Sequence, residues 1–226
     1  MPDSGNGNGW RTQPMYSYTE VSKLSGVSVG TVRNWVHGYS TEHGTVEALF
    51  KPHSYEEKVC SFLELIEIVV AASFRKVEHV PFQRIRLAYD NARKLYRLDY
   101  PFAHMELKAI GGHIVHIIRV PGAGLQAIDQ PEQYTIPDLV QQIITEQLDF
   151  EHELACRWYP IGKNVPIVVD PRISAGLPVV KGRGITVDAI YRRFKADQEI
   201  RFIEKDFGLK RGIVEAVIRF REKVPV

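Results

Sequence analysis

The stretch Tyr18-Thr-Glu-Val-Ser-Lys-Leu-Ser-Gly-Val-Ser-Val-Gly-Thr-Val-Arg-Asn-Trp-Val36 decides how the N-terminal part of the chain folds. Two short helical runs, residues 19–24 and 29–36, flank Ser25-Gly26-Val27-Ser28. That connection is too short for anything but two helices packed at an angle. Gly26 supplies the turn, and the hydroxyl of Ser28 is placed to cap the second helix. Val21, Leu24 and Val27 can face Val29, Val32 and Val36. At about 100° per residue, the side opposite those valines presents Gly30, Thr31 and Asn34, with Arg33 and Trp35 flanking it. A small residue lets the helix approach another surface closely. Threonine, asparagine and arginine can bond phosphates and base edges. The pattern therefore predicts a DNA-binding helix pair rather than a plain helical hairpin with Arg33 on a solvated face.

Tyr18, Gly26, Val27, Ser28, Thr31, Val32 and Arg33 form a tyrosine, short helix, Gly-Val-Ser, Thr-Val-Arg pattern. It resembles the DNA-binding head of the MerR-like winged-helix family. The resemblance implies that Thr31 and Arg33 contact DNA and that the segment after Gly38, which suits a small hairpin, is the wing. Asn34-Trp35-Val36 stands where that family has aromatic-aromatic-glutamate, which makes Asn34 the better candidate for reading adenine. Tyr18 and Ser28 complete the expected DNA-facing set. Heads of this kind usually read two half-sites, so a homodimer is implied.

The remainder of the chain bounds the answer. Its 226 residues are 44% hydrophobic and 25% charged, an ordinary globular composition with net charge +2. Overall disorder and a uniformly polybasic binder are both excluded. Cys60 and Cys156 cannot build a disulfide framework or a four-thiolate zinc site. With no signal pattern, and only the short run at 62–74, broken by Glu64 and Glu67, as an apolar candidate, a cytoplasmic protein with no membrane segment is expected. The expected fold class is α+β, mainly helical, in four parts: a disordered tail over 1–14; the winged helix-turn-helix with its following helices over 15–105; a β-containing connecting region over 106–162; and a three-helix, helix-turn-helix-like domain over 163–226. The connecting region holds a predicted hairpin around Gly111-Gly112 and a helix over 137–147. No internal repeat of fixed period is evident. The run 62–74 is apolar on more than one face, so it is either deep core or a dimer seam.

A second motif runs from Ile167 onward. Asp170, Pro171, Ile173, Gly176, Pro178, Val179, Gly182, Arg183, Ile185, Thr186 and Val187 resemble the small domain of unknown function found in many VapB-type antitoxins. Thr186 can cap a helix whose Val187, Ile190 and Phe194 share one face, while Arg192, Arg193 and Lys195 point outward. Two further helices follow, at 199–206 and Arg211–Lys223, the last opened by Lys210 and Arg211. From Lys181 to the end, 12 lysines and arginines stand against 7 acidic residues. Such an excess suits phosphate or an acidic protein surface. Lys210 and Arg211 are candidate DNA contacts, and Arg183, Arg192 and Arg193 candidate partner contacts. Together the two resemblances imply an antitoxin of a type II toxin–antitoxin pair. Such a protein binds a cognate toxin, commonly a PIN-type ribonuclease, and represses its own operon by binding operator DNA. The alternative is a stand-alone transcriptional regulator without a toxin.

Enzymatic readings are weaker. His113 and His116 fall on opposite sides of a predicted strand, and His37, His43, His53 and His79 have no metal-ligand spacing. No nucleophile elbow or phosphate-binding loop is present. The remaining candidate is Arg97-Leu-Asp-Tyr-Pro-Phe-Ala-His104, whose arginine and histidine resemble the HEPN ribonuclease pattern. That spacing is loose, and Pro101 bends the chain between them. No enzyme activity, no metal and no cofactor are expected.

Overall fold

The structure, a computed structural model, describes residues 9–42, 44–50, 59–76, 80–105 and 142–223. It is a mixed helix and strand architecture, with small two-stranded sheets tying helices together. Strand β1 (Tyr16–Ser17) leads directly into α1 (Tyr18–Ser25), and Gly26–Ser28 turn the chain into α2 (Val29–His37). The hairpin β2 (Tyr39–Thr41) and β3 (Gly44–Val46) follows, as expected for a wing, with Ser40 opposite Thr45. Strand β4 (Val59–Cys60) returns to pair with β1, placing Tyr16 opposite Cys60. Helices α3 (Phe62–Lys76) and α4 (Phe82–Tyr96) complete the N-terminal unit.

Helix α3 lies in the deep core. Phe62 through Ala72 and Phe74 are all buried within one chain, which decides between core and seam. Its two acids are accommodated differently. Glu64 closes the helix N-terminus, accepting from the Ser61 N–H at 2.6 Å while Ser61 Oγ accepts from the Glu64 N–H at 3.3 Å. Glu67 accepts from the Phe102 N–H at 2.9 Å and from the Tyr89 hydroxyl. Burial pushes its pKa up to about 8 despite those bonds. Among the described residues no helix is long and apolar enough to cross a membrane.

The chain's beginning departs from the expected tail. Gly9–Arg11 form a 3-10 turn, and Arg11 is fully buried. Its guanidinium donates to the Glu151 carbonyl at 2.9 Å and lies 3.5 Å from the Glu151 carboxylate. The Trp10 ring is flanked by the guanidinium carbons of Arg11 at 4.3 Å and Arg172 at 4.5 Å. Composition alone argued for disorder through residue 14. A charged side chain anchored 140 residues away overrides it at the inner end.

In the connecting region the described part is a π-helical turn (Ile143–Gln147) and a hairpin of β5 (Leu148–Glu151) and β6 (Leu154–Trp158). The predicted hairpin around Gly111-Gly112 and most of the helix over 137–147 lie outside the described residues. Trp158 bridges to Val169, carrying the hairpin over to β7 (Ile167–Val168), which pairs with β8 (Val179–Val180). Three helices close the chain: α5 (Val187–Lys195), α6 (Ile200–Phe207) and α7 (Arg211–Lys223). They pack around their own core, which includes Ile190, Ile203, Val214 and Val217. Thr186 caps α5 as the sequence predicts, accepting from the Ala189 N–H at 3.2 Å.

The connecting hairpin is stapled to the C-terminal part, and that part to β1. The buried carboxylate of Asp170 accepts from the Arg172 N–H at 3.0 Å, its guanidinium at 2.9 Å and Arg157 Nε at 2.9 Å. Burial alone would raise that carboxyl, but the bonds from Arg172 and Arg157 hold it below its ordinary value. Tyr16 donates its hydroxyl to the Gly176 carbonyl at 3.1 Å, joining β1 to the turn Ser174–Gly176.

Candidate nucleic-acid interface

Local chemistry builds the helix pair. Ser17 caps α1 in a reciprocal box, with the Ser17 N–H donating to Glu20 Oε2 at 2.8 Å and Ser17 Oγ accepting from the Glu20 N–H at 3.3 Å. Gly26 ends α1 at φ +69°, its N–H on the Ser22 carbonyl at 2.8 Å. Lys76 donates to the Gly26 carbonyl from below, pinning the turn to α3. Ser28 then caps α2, its Oγ accepting from the Thr31 N–H at 3.1 Å and sitting 2.9 Å from Thr31 Oγ1.

Helix α2 divides sharply into two sides. Val32, Trp35 and Val36 are buried, while Ser28, Gly30 and Arg33 are exposed and Thr31 and Asn34 half-exposed. The structure thus gathers Ser28, Thr31, Arg33 and Asn34 on one outward face, with the exposed hairpin β2–β3 following it. A bare polar face beside an exposed hairpin can lie against a phosphate backbone and present a guanidinium and an amide to base edges.

Two expectations need correction here. Trp35 does not flank the polar face; it turns inward, its ring 5.6 Å from Phe82 and nearly parallel to it, with Phe50 edge-on at 6.1 Å. Tyr18 is not a surface contact either. It is buried, its hydroxyl 2.7 Å from His37 Nε2, and burial followed by the nearby Cys60 pushes that hydroxyl up to about 12. Tyr18 therefore positions the C-terminal turn of α2. In both cases a large aromatic surface gains more from the core than from water.

The other candidate residues lie elsewhere. Lys210 and Arg211 are exposed at the start of α7 in the C-terminal unit, with Arg211 bound to Glu215 at 2.8 Å. Arg183 is exposed in the turn after β8, and Arg192 is exposed with Nε donating to the Asp188 carbonyl at 3.3 Å. Arg193 is committed internally, meeting Asp206 at 3.0 Å and lying over the Phe207 ring at 5.5 Å, so it braces α5 against α6. Arg97 ends α4 at φ 53° and lines an open groove with Arg93, Lys94 and Asp99. His104 is buried, bridged to Leu154 and 3.7 Å from Glu153.

Sequence reading missed Arg86, which donates to the Ala48 carbonyl at 3.1 Å and fixes the chain as it leaves the hairpin. It also missed the Arg11, Trp10 and Arg172 cluster. The only early signal was that Asp170 and Pro171 belong to a motif; nothing marked their partners.

A helix pair with a capped, outward-facing second helix and a following hairpin defines a helix-turn-helix protein. Residues 14–89 match the family described as "Putative DNA-binding HTH domain", and residues 167–220 match DUF433, a family described as of unknown function. The chain thus joins an N-terminal helix-turn-helix domain to a C-terminal DUF433 domain. Along most of its length it is similar to two proteins of Mycobacterium tuberculosis. One is named uncharacterized protein Rv2308, 24% identical over 220 residues that span 92% of this chain and 90% of the relative. The other is named "Putative antitoxin VapB45", 22% identical over 216 residues that span 87% and 89%. The crystal structure of Rv2018 from the same organism shares the fold, with a TM-score of 0.68 at 21% identity, covering 91% of this chain and 98% of that one.

Proposed function

We propose that this protein is the antitoxin of a type II toxin–antitoxin pair, and that it represses its own operon through a MerR-like winged head. The observation that carries the DNA half of this reading is the division of α2. Thr31, Arg33 and Asn34 stand outward while every large apolar residue of the helix is spent on the core. Arg33 donates to phosphate or guanine and Asn34 to adenine in the major groove, with Ser28 and Thr31 against the backbone and the hairpin alongside. Two copies read two half-sites as a homodimer. The antitoxin half rests on similarity, over nearly the whole chain, to a relative named as an antitoxin. Its toxin is a PIN-type ribonuclease held through the basic C-terminal unit, where Arg183 and Arg192 are exposed. The protein acts by binding, not by catalysis, in the cytoplasm and without a cofactor.

The test is fluorescence anisotropy of the purified chain on its own upstream duplex and on a scrambled duplex, at two salt concentrations. Arg33→Ala is expected to weaken specific binding by about 1–3 kcal/mol. An unchanged affinity and salt slope removes α2 from DNA recognition. For the antitoxin half, the neighbouring gene product should co-purify with the chain and lose ribonuclease activity in the complex. A neighbour that neither binds nor cleaves RNA leaves a stand-alone regulator.

A further inference from the structure

We infer that α6 and α7 form a second DNA-reading helix-turn-helix, so that one chain carries two reading helices of different chemistry. The inference rests on the DNA-binding reading of α2 and extends it to a second site.

The structure shows that the helix-turn-helix-like C-terminal unit repeats the geometry of α1 and α2 position by position. Helices α1 and α6 are both 8 residues long. Each ends on a left-handed glycine, Gly26 at φ +69° and Gly208 at φ +61°, whose N–H bonds to the carbonyl four residues back, on Ser22 and Glu204 respectively. Each glycine is followed by a buried apolar residue, Val27 or Leu209, then by the residue whose carbonyl accepts the next helix's early N–H. That bond is Val32 to Ser28 at 3.0 Å in one unit and Val214 to Lys210 at 3.3 Å in the other. Val21 and Ile203, and then Val32 and Val214, are fully buried at matching places. Trp35 and Val36 correspond to Val217 and Ile218, again buried. Besides the glycines and Val32/Val214, only Lys23 and Lys205 recur as identities, so little of the repeat is visible in the letters.

The second residue of each following helix is also glycine, Gly30 and Gly212. Among the described residues neither has a packing reason. A Cβ at Gly212 would meet nothing within 4 Å, and one at Gly30 only Ser28 Oγ at 3.8 Å. Glycine in a helix costs roughly 1 kcal/mol relative to alanine. A bare backbone kept on an outer face at that cost fits a surface that another molecule approaches closely. Lys210, Arg211 and Arg219 are exposed near Gly212, within a C-terminal stretch where cations outnumber acids. Helix N-terminus, cations and missing side chain all favour a phosphate backbone over an apolar protein surface.

The two reading helices are not equivalent. Glu215 stands where α2 has Arg33, and it holds Arg211 at 2.8 Å. A carboxylate in that place accepts from a cytosine amino group, whereas Arg33 donates to guanine or phosphate. The DNA site of one chain is therefore bipartite, its two parts read with opposite polarity.

The experiment uses the full-length chain with Gly212→Glu, Gly30→Glu and the double variant. It combines anisotropy on the protein's own upstream duplex with hydroxyl-radical footprinting. Glutamate in the first helical turn is compatible with both helices and has open space, so thermal midpoints should be unchanged or raised. G212E is expected to weaken binding at least tenfold and to erase one part of the footprint, leaving the part that G30E erases. Wild-type affinity and a full footprint for G212E, with binding lost in G30E, overturns the second reading helix and leaves the first intact. Wild-type binding by both variants, or no duplex binding by the wild type, overturns both.

Discussion

Replacing Gly176 with alanine should uncouple the two units, and the structure sets the size of the effect. Gly176 sits at φ +72°, where a residue with a Cβ pays roughly 1–2 kcal/mol. The added carbon would lie 2.2 Å from the Tyr16 hydroxyl oxygen, 2.5 Å from Met15 Sδ and 2.8 Å from Tyr16 Cζ. None of those atoms can stay in place. Tyr16 is buried and held by β1, so its ring cannot swing into solvent without opening the core. Overpacking of this kind costs about 1–3 kcal/mol, and loss of the Tyr16 to Gly176 hydrogen bond adds about 1 kcal/mol. The sum is about 3–6 kcal/mol, or a fall in melting temperature of about 6–24 °C for a chain of this size. Urea unfolding of G176A, of Tyr16→Leu and of the double variant measures it. Leucine at 16 removes the colliding ring, so on that background G176A should cost only the backbone strain and the displacement of the Met15 thioether. An equal cost of G176A on both backgrounds refutes the steric argument, as does a cost below about 1 kcal/mol on the wild type.

Two other perturbations separate core from interface. Glu67 titrates at about 8 in the folded chain, well above its ordinary value of 4.5, so folding holds on to its proton. Its contribution is complete below pH 4.5 and is lost as pH rises toward 8, at up to about 1.4 kcal/mol per pH unit. Glu67→Gln, which can still accept from the Phe102 N–H, should flatten that part of the stability profile and exceed the wild type at pH 9; matching profiles for the two proteins would contradict the assignment. Trp35→Phe should lower stability by about 1–3 kcal/mol through a cavity beside Phe82 and Phe50, while the folded variant keeps its DNA affinity in anisotropy. A selective loss of DNA binding at unchanged stability would return Trp35 to the polar face.

Where neighbours in sequence are also neighbours in space, the letters were readable. The caps at Ser28 and Thr186, the turn at Gly26, and the bounds of α5 and α7 all follow from residues within one or two helical turns of each other. The polar face of α2 was legible for the same reason. Trp35 was misplaced because helical angle alone ranks it near the boundary, and Tyr18 because the family pattern marks it without saying which way it faces; the free energy of burying a large ring decides both. Arg11, Arg86, Glu67 and Asp170 were opaque because each is satisfied by a partner from another element. The position-by-position repeat of α1–α2 in α6–α7 was less legible for a different reason. It is conserved in burial and backbone geometry, while most of the side chains that would announce it differ.

The bond from Tyr16 to Gly176 also has a meaning in time. Its two residues are 160 positions apart, and Arg11 waits 140 positions for Glu151. At about 5–20 residues per second on the ribosome, some 8–30 s separate the appearance of Tyr16 from that of its acceptor. During that interval the head is present without its staple. A truncated product that ends before residue 176 is therefore born with the same defect permanently, and quality-control proteases have a long window in which to distinguish finished chains from unfinished ones.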